Sequence, residues 1–339
     1  MQGGVTRQPQ HAATALTLLN FGRLLQSSTL LAYSSRMSYH PCMDKPWKIN
    51  RCNDALAKYI FAYEERRGIL LCLINSILDA AEMPRLDDIC YLNPELNTPS
   101  AKGKSGRVDI LSSSPDGTIV NVEFQRDRLE CMGERSIFYW AYIYRLKEGQ
   151  DYKELPRTLC INILDFQLFS EVQTTDYCNS FGIVNLHHHR HILTKTFEMH
   201  FVEIPKWKGY NKSITDMTLL DKWMAYFSPR TDQHVLMEIA RQTPEIAESL
   251  ATKELFMSTP SLRYAYDSIE KDRRDAVAHE AYWRNEGFQD GEKKGQQTER
   301  LSIVANMIHM GMSFENMSKI MGLSVGDIKT LAAQIQYLY

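Results

Sequence analysis

The 339-residue sequence contains no apolar run of the roughly 18 residues that a membrane-spanning helix requires; the longest candidate, GILLCLINSIL at 68–78, is broken by Asn75 and Ser76. A soluble chain is expected. Its seven cysteines (42, 52, 72, 90, 131, 160 and 178) stand singly with no Cys-x-x-Cys, so neither a disulfide framework nor a thiolate zinc site is indicated. A reducing cytoplasm is the expected compartment. Acids are missing from the first 42 residues, whose only formal charges are Arg7, Arg23 and Arg36. That stretch reads as a disordered tail, or as a non-native leader upstream of a start at Met37 or Met43, in preference to a processed targeting peptide. With those three positive charges set aside, the formal net charge of −2 becomes −5, so nucleic-acid contact would have to come from a local basic patch.

What is present is an ordinary globular composition, 44% hydrophobic and 24% charged. Residues 54–82 place Leu56, Ile60, Leu70, Leu73, Ile74, Ile77 and Leu78 at helical spacing, with a break near Arg66 to Gly68. ICYL at 89–92 predicts a short strand, residues 107–125 a hairpin, 131–148 a helix stopped at Gly149, and TLCINILDF at 158–166 another strand. Helix, three strands, helix and strand in that order make an α/β core with a mixed sheet. Two further strands are expected at 181–187 and 197–204. After Pro205 the pattern is helical, divided at Pro229, Pro244 and Pro260. The chain is thus expected to divide into a tail (1–42), a core (43–228), a helical extension (229–295) and a small helical module (296–339). Gly287, Gly291 and Gly295 sit four apart in the extension, which fits either close helix packing or a frayed linker. In the module, Ser313 and Ser324 are placed as N-caps and the spacing resembles a helix-turn-helix. Its last helix carries Asp327 with only Lys329, which favours packing or oligomerisation over base reading.

The hairpin VDILSSSPDGTIVNVEFQ (108–125) holds the chemistry. Ser114-Pro115-Asp116-Gly117 has the residue choice of a type I turn closed by a left-handed glycine. If Ser114 pairs with Thr118, Asp109 falls opposite Glu123, and like charges so placed repel. Asn121, Glu123 and Gln125 share one strand face, while Val120, Val122 and Phe124 share the other. A hard cation such as Mg²⁺, bound by the two carboxylates with carbonyl and water oxygens, would explain the pair; a solvated face with splayed acids is the other reading. Lys102, Lys104 and Arg107 before the first strand and Arg126 and Arg128 after the second would form a phosphate-binding surface.

The combination of Asp54-x-x-x-Lys58, LNPEL (92–96), RVDI (107–110), Asn121-x-Glu123-x-Gln125, Arg135 with Tyr139, and INILDFQLF (161–169) resembles the PD-(D/E)XK nuclease family transposases, the recombination-promoting nuclease group. FVEIPKW, the glycine-spaced segment and MGLS extend the likeness over about residues 48–325. The resemblance implies a restriction-endonuclease-like core, Mg²⁺-dependent cleavage of DNA phosphodiesters with Mn²⁺ as the alternative ion, and a link to mobile elements or recombination. It makes Asp109 and Glu123 the metal ligands. Gln125 stands where the wider superfamily has lysine: it keeps a hydrogen-bonding amide and loses a cation, and the resemblance makes Glu-x-Gln the form that this particular group shows. Arg126 or Arg128 is then a source of the missing charge, although Arg126 needs a strand end or bulge to reach the site.

Asp54 reads as an acid near the site, or as an N-cap or i,i+4 partner of Lys58. Arg135 and Tyr139, one turn apart, serve phosphate binding or packing. The run His187-His188-His189-Arg190-His191 matches no zinc spacing and is expected at an exposed strand end or hairpin. Cys160 is expected in the core, and no Gly-x-x-x-x-Gly-Lys-Ser/Thr supports ATP-driven work. Three functions remain: a metal-dependent DNA endonuclease, a weak or inactive DNA-binding regulator on the same fold, and a defence or toxin nuclease.

Overall fold

Helix α1 (Asp54–Phe61) opens the core in a computed structural model that describes residues 49–92, 109–146 and 149–336. Asn53 caps it by accepting from the Leu56 amide. Asp54 is therefore in the first turn, where a carboxylate suits the helix dipole, and not the cap itself. The interruption expected near Arg66 is a short 3₁₀ turn, Glu64–Arg66, after which α2 runs from Arg67 to Ala80.

Strands β1 (Cys90–Tyr91), β2 (Ile110–Ser113), β3 (Ile119–Gln125), β4 (Thr158–Leu164), β5 (Cys178–Phe181) and β6 (Phe197–Glu203) form one mixed sheet in the order β1-β2-β3-β4-β6-β5. The three long strands β3, β4 and β6 run parallel at its centre, with antiparallel pairs on either side. Helix α3 (Met132–Ile143) makes the crossover from β3 to β4, as parallel neighbours require. It ends before the expected Gly149, because the Tyr144 amide closes on the Trp140 carbonyl and Tyr144 leaves helical geometry.

The strand expected at 181–187 lies instead at Cys178–Phe181, and Asn185 to His191 form a turn outside it. The histidine run is exposed on that turn, as a polar hairpin would be.

Both faces of the sheet are covered. Val120, Val122 and Phe124 point toward α1 and α4 (Leu219–Phe227), where Phe61 stacks on Phe124 at 5.2 Å and also meets Trp223 and Phe227. The opposite face packs Cys160, Leu164, Met199 and Phe201 against Met132 of α3. Cys160 is core: burial pushes its thiol up to about 12, which removes it as a nucleophile.

Helices α5 (Gln233–Gln242), α6 (Pro244–Ser258), α7 (Pro260–His309), α8 (Phe314–Met321) and α9 (Val325–Gln336) follow. Pro244 and Pro260 each stand in a helix first turn, where the missing amide costs nothing. Helix α7 is continuous through the spaced glycines, all three of which are exposed with nothing within 4 Å of the position a β-carbon would take. Neither close packing nor a break occurs there among the described residues. Val304, Met307, Met317 and Ile328 build a small separate core for the last helices, whose caps include Ser313 and Ser324. No helix among the described residues is long and apolar enough to cross a membrane.

Candidate active site

The hairpin register decides the site. Ser114 donates its amide to the Thr118 carbonyl at 2.8 Å, Gly117 takes φ 85°, and Ile110 pairs with Val122. Continued by one residue, that register sets Asp109 opposite Glu123. The two carboxylates do not simply face each other, however. The Asp109 amide donates to Glu123 Oε1 at 3.1 Å, while Asp109 Oδ2 accepts from the Phe124 amide at 3.0 Å. Each acid thereby accepts from a backbone amide of the opposite strand segment, Glu123 from Asp109 and Asp109 from Phe124, which offsets part of their repulsion.

Glu123 is only 3% exposed, which rules out the solvated-face reading for it. It lies near the carboxyl end of β3, where ligand crevices of open α/β sheets form. Asn121 Nδ2 donates to its Oε1 at 3.3 Å, and Arg135 Nη2 of α3 is 3.9 Å from its Oε2. Burial and then the Asp109 charge push the Glu123 carboxyl up to about 7, against the pull of the Asp109 amide, Asn121 and Arg135.

Around this pair the expected residues separate. Arg135 stacks over Tyr139 at 5.2 Å, and Tyr139 packs on Leu111 of β2, so these two residues both buttress the hairpin and bring a cation to Glu123. Gln125 is at the strand end with its Nε2 donating to the Asp127 carbonyl at 3.1 Å. Arg128 is exposed. Arg126 turns away to form a bidentate pair with Glu270 of α7, itself held by Asn53, and its side chain is 11% exposed. The expectation that Arg126 supplies charge to the carboxylates is corrected by that pairing. Lys102, Lys104 and Arg107, with most of LNPEL, lie outside the described residues.

Sequence reasoning missed the tertiary role of Lys58. Its ammonium is 2.6 Å from Asp54 Oδ1, the expected i,i+4 partner, and also 3.1 Å from Asp109 Oδ1. The signal available was the Asp54-x-x-x-Lys58 spacing, which says nothing about a partner on another element.

A hard divalent cation fits these residues. The donors are all oxygen, one carboxylate is buried beside a second, and Asn121 Oδ1 on the same strand face is buried without a hydrogen-bond partner. Among the described residues no group of three or more His, Cys, Asp or Glu side chains is placed to hold a metal ion by itself. A cation here would complete its shell with carbonyl, water or phosphate oxygens, as Mg²⁺ commonly does.

A mixed sheet flanked by helices, with two acids joined across a hairpin and a parallel strand, is the plan of a restriction-endonuclease-like α/β fold. The sequence profile of the PD-(D/E)XK nuclease family transposases matches residues 51–282, and the chain belongs to that family. The family carries a nuclease or transposase type of function, generally uses divalent metals and has DNA as its implied substrate. Comparisons with curated proteins and with solved structures returned no match.

Proposed function

We propose that the protein is a metal-dependent DNA endonuclease that hydrolyses phosphodiester bonds, acting in recombination or on mobile elements. The observation that carries this reading is the pair of hydrogen bonds from the Asp109 amide to Glu123 and from the Phe124 amide to Asp109, which keeps the two acids together near the end of β3. Asp109 and Glu123 are the residues to hold Mg²⁺ or Mn²⁺. When bound, such an ion supplies an activated water and charge stabilisation at phosphorus. Asn121 and the Asp109 amide fix Glu123 through Oε1, leaving Oε2 toward Arg135. Arg135 offsets negative charge that gathers there, and Gln125 positions water through its amide oxygen. Lys102, Lys104, Arg107, Arg128 and Arg135 hold the DNA backbone by charge, a contact that weakens steeply with salt.

A second reading, a DNA-binding protein with little or no catalysis, is favoured by one observation: the residue at the lysine position is Gln125, turned to Asp127. Incubation of supercoiled plasmid with purified protein and Mg²⁺ or Mn²⁺, beside Asp109→Asn and Glu123→Gln, separates the two. Nicking by wild type and its loss in both variants supports the nuclease. Intact plasmid in all three, with DNA still bound, supports the second reading. Equal cutting by all three places the activity elsewhere.

A further inference from the structure

The hairpin strand that bears Glu123 offers an amide, not a cation, at Gln125, yet the carboxylate pair does have an ammonium beside it. Among the described residues Lys58 is the one cation within hydrogen-bonding distance of either acid: its Nζ lies 3.1 Å from Asp109 Oδ1, whereas the Arg135 guanidinium is 3.9 Å from Glu123. Arg126 is committed to Glu270, and Arg128 is exposed beyond the strand end. Lys58 is also held in place. Asp54, one helical turn earlier, binds it at 2.6 Å, and its side chain is 32% exposed, so it borders solvent without being free in it.

We propose that Lys58 supplies from α1 the positive charge that Gln125 cannot, and that Asp54 is the residue that positions it. This inference rests on the nuclease reading above. An ammonium has three donors; Asp54 and Asp109 take two, and the third is open to a phosphate oxygen or the attacking water. Asp109 Oδ2 is occupied by the Phe124 amide, so Lys58 meets the oxygen that remains. In the hydrolysis the water oxygen bonds to phosphorus as the P–O ester bond breaks. The water releases one proton to solvent and the leaving alkoxide takes one up. Lys58 stays charged throughout, contributing a hydrogen bond and a fixed charge to the oxygens that become more negative.

The test compares single-turnover plasmid cleavage by wild type, Lys58→Met, Lys58→Gln, Gln125→Lys and the Lys58→Met/Gln125→Lys double variant, with Mn²⁺ affinity measured by electron paramagnetic resonance. Lys58→Met should slow cleavage by roughly 10²- to 10³-fold, the usual cost of one preorganised electrostatic donor. Its Mn²⁺ affinity should hold or rise, because a cation has been taken from beside Asp109. Gln125→Lys in the same chain should recover about tenfold or more of the lost rate. Circular dichroism checks the fold, and if Lys58→Met unfolds, Lys58→Gln and its Gln125→Lys double carry the same comparison.

Cleavage within about threefold of wild type in a folded Lys58 variant overturns the inference and leaves the nuclease reading intact. Joint loss of cleavage and Mn²⁺ binding without rescue overturns it too, since that is the pattern of a structural residue. A wild type that cuts with neither ion overturns the nuclease reading and the role of Lys58 with it.

Discussion

The amide of Asp109 donates to Oε1 of Glu123 while the carboxylate of Asp109 accepts from the amide of Phe124, so two acids that should repel are laced together through the backbone. The arrangement holds the acids together without cancelling their charge. A cation would relieve what remains.

The burial of Glu123, with the Asp109 charge beside it, predicts a pH dependence. Glu123 is raised from 4.5 to about 7, chiefly by burial. The unfolded chain loses this proton near 4.5 and the folded one near 7, so stability falls as pH rises between them and then levels off. The loss is on the order of 3 kcal/mol. Thermal melts in chelator from pH 4.5 to 8 should show this decline, Glu123→Gln should flatten it, and Mn²⁺ added above pH 7 should reverse it. A flat wild-type profile would contradict the assignment.

The Arg126–Glu270 pair ties the end of β3 to α7, and Asn53 adds a hydrogen bond to the same carboxylate. Removing one partner leaves a largely buried charge unpaired. Glu270→Ala is expected to cost about 3 kcal/mol in urea unfolding. A change under about 0.5 kcal/mol would mean that the guanidinium reaches water freely.

Phe61 is fully buried between Phe124, Trp223 and Phe227. Phe61→Ala should cost about 3–5 kcal/mol by opening a cavity between α1, α4 and the sheet. The same α1 carries Lys58, so its melting temperature and cleavage rate should fall together.

Gly117 holds φ 85° with open space around it, so only backbone strain opposes a side chain there. Gly117→Ala should cost about 1–2 kcal/mol. Gly117→Asn, which tolerates the left-handed region better, should recover part of that in the same melts.

The elements legible beforehand were those specified by local rules. The apolar spacing of Leu56 to Leu78 needs one face to be buried whatever covers it, and SPDG sets a hairpin register through its turn residues, closed by the left-handed Gly117. The opposition of Asp109 and Glu123 followed from that register. Where local signals were weak, the edges moved: CNSF at 178–181 becomes a strand because β6 offers it an edge to pair with, not by any alternation of its own.

The sequence by itself therefore determined the α/β order, the hairpin and the two acids, because each depends on neighbours within a turn or a strand pair. Only the tertiary structure decided where the cations go. Arg126 meets Glu270 across 144 residues, and Lys58 reaches Asp109 from a different element. A long flexible side chain pairs with whatever opposite charge packing brings near, and that choice is written in no local spacing.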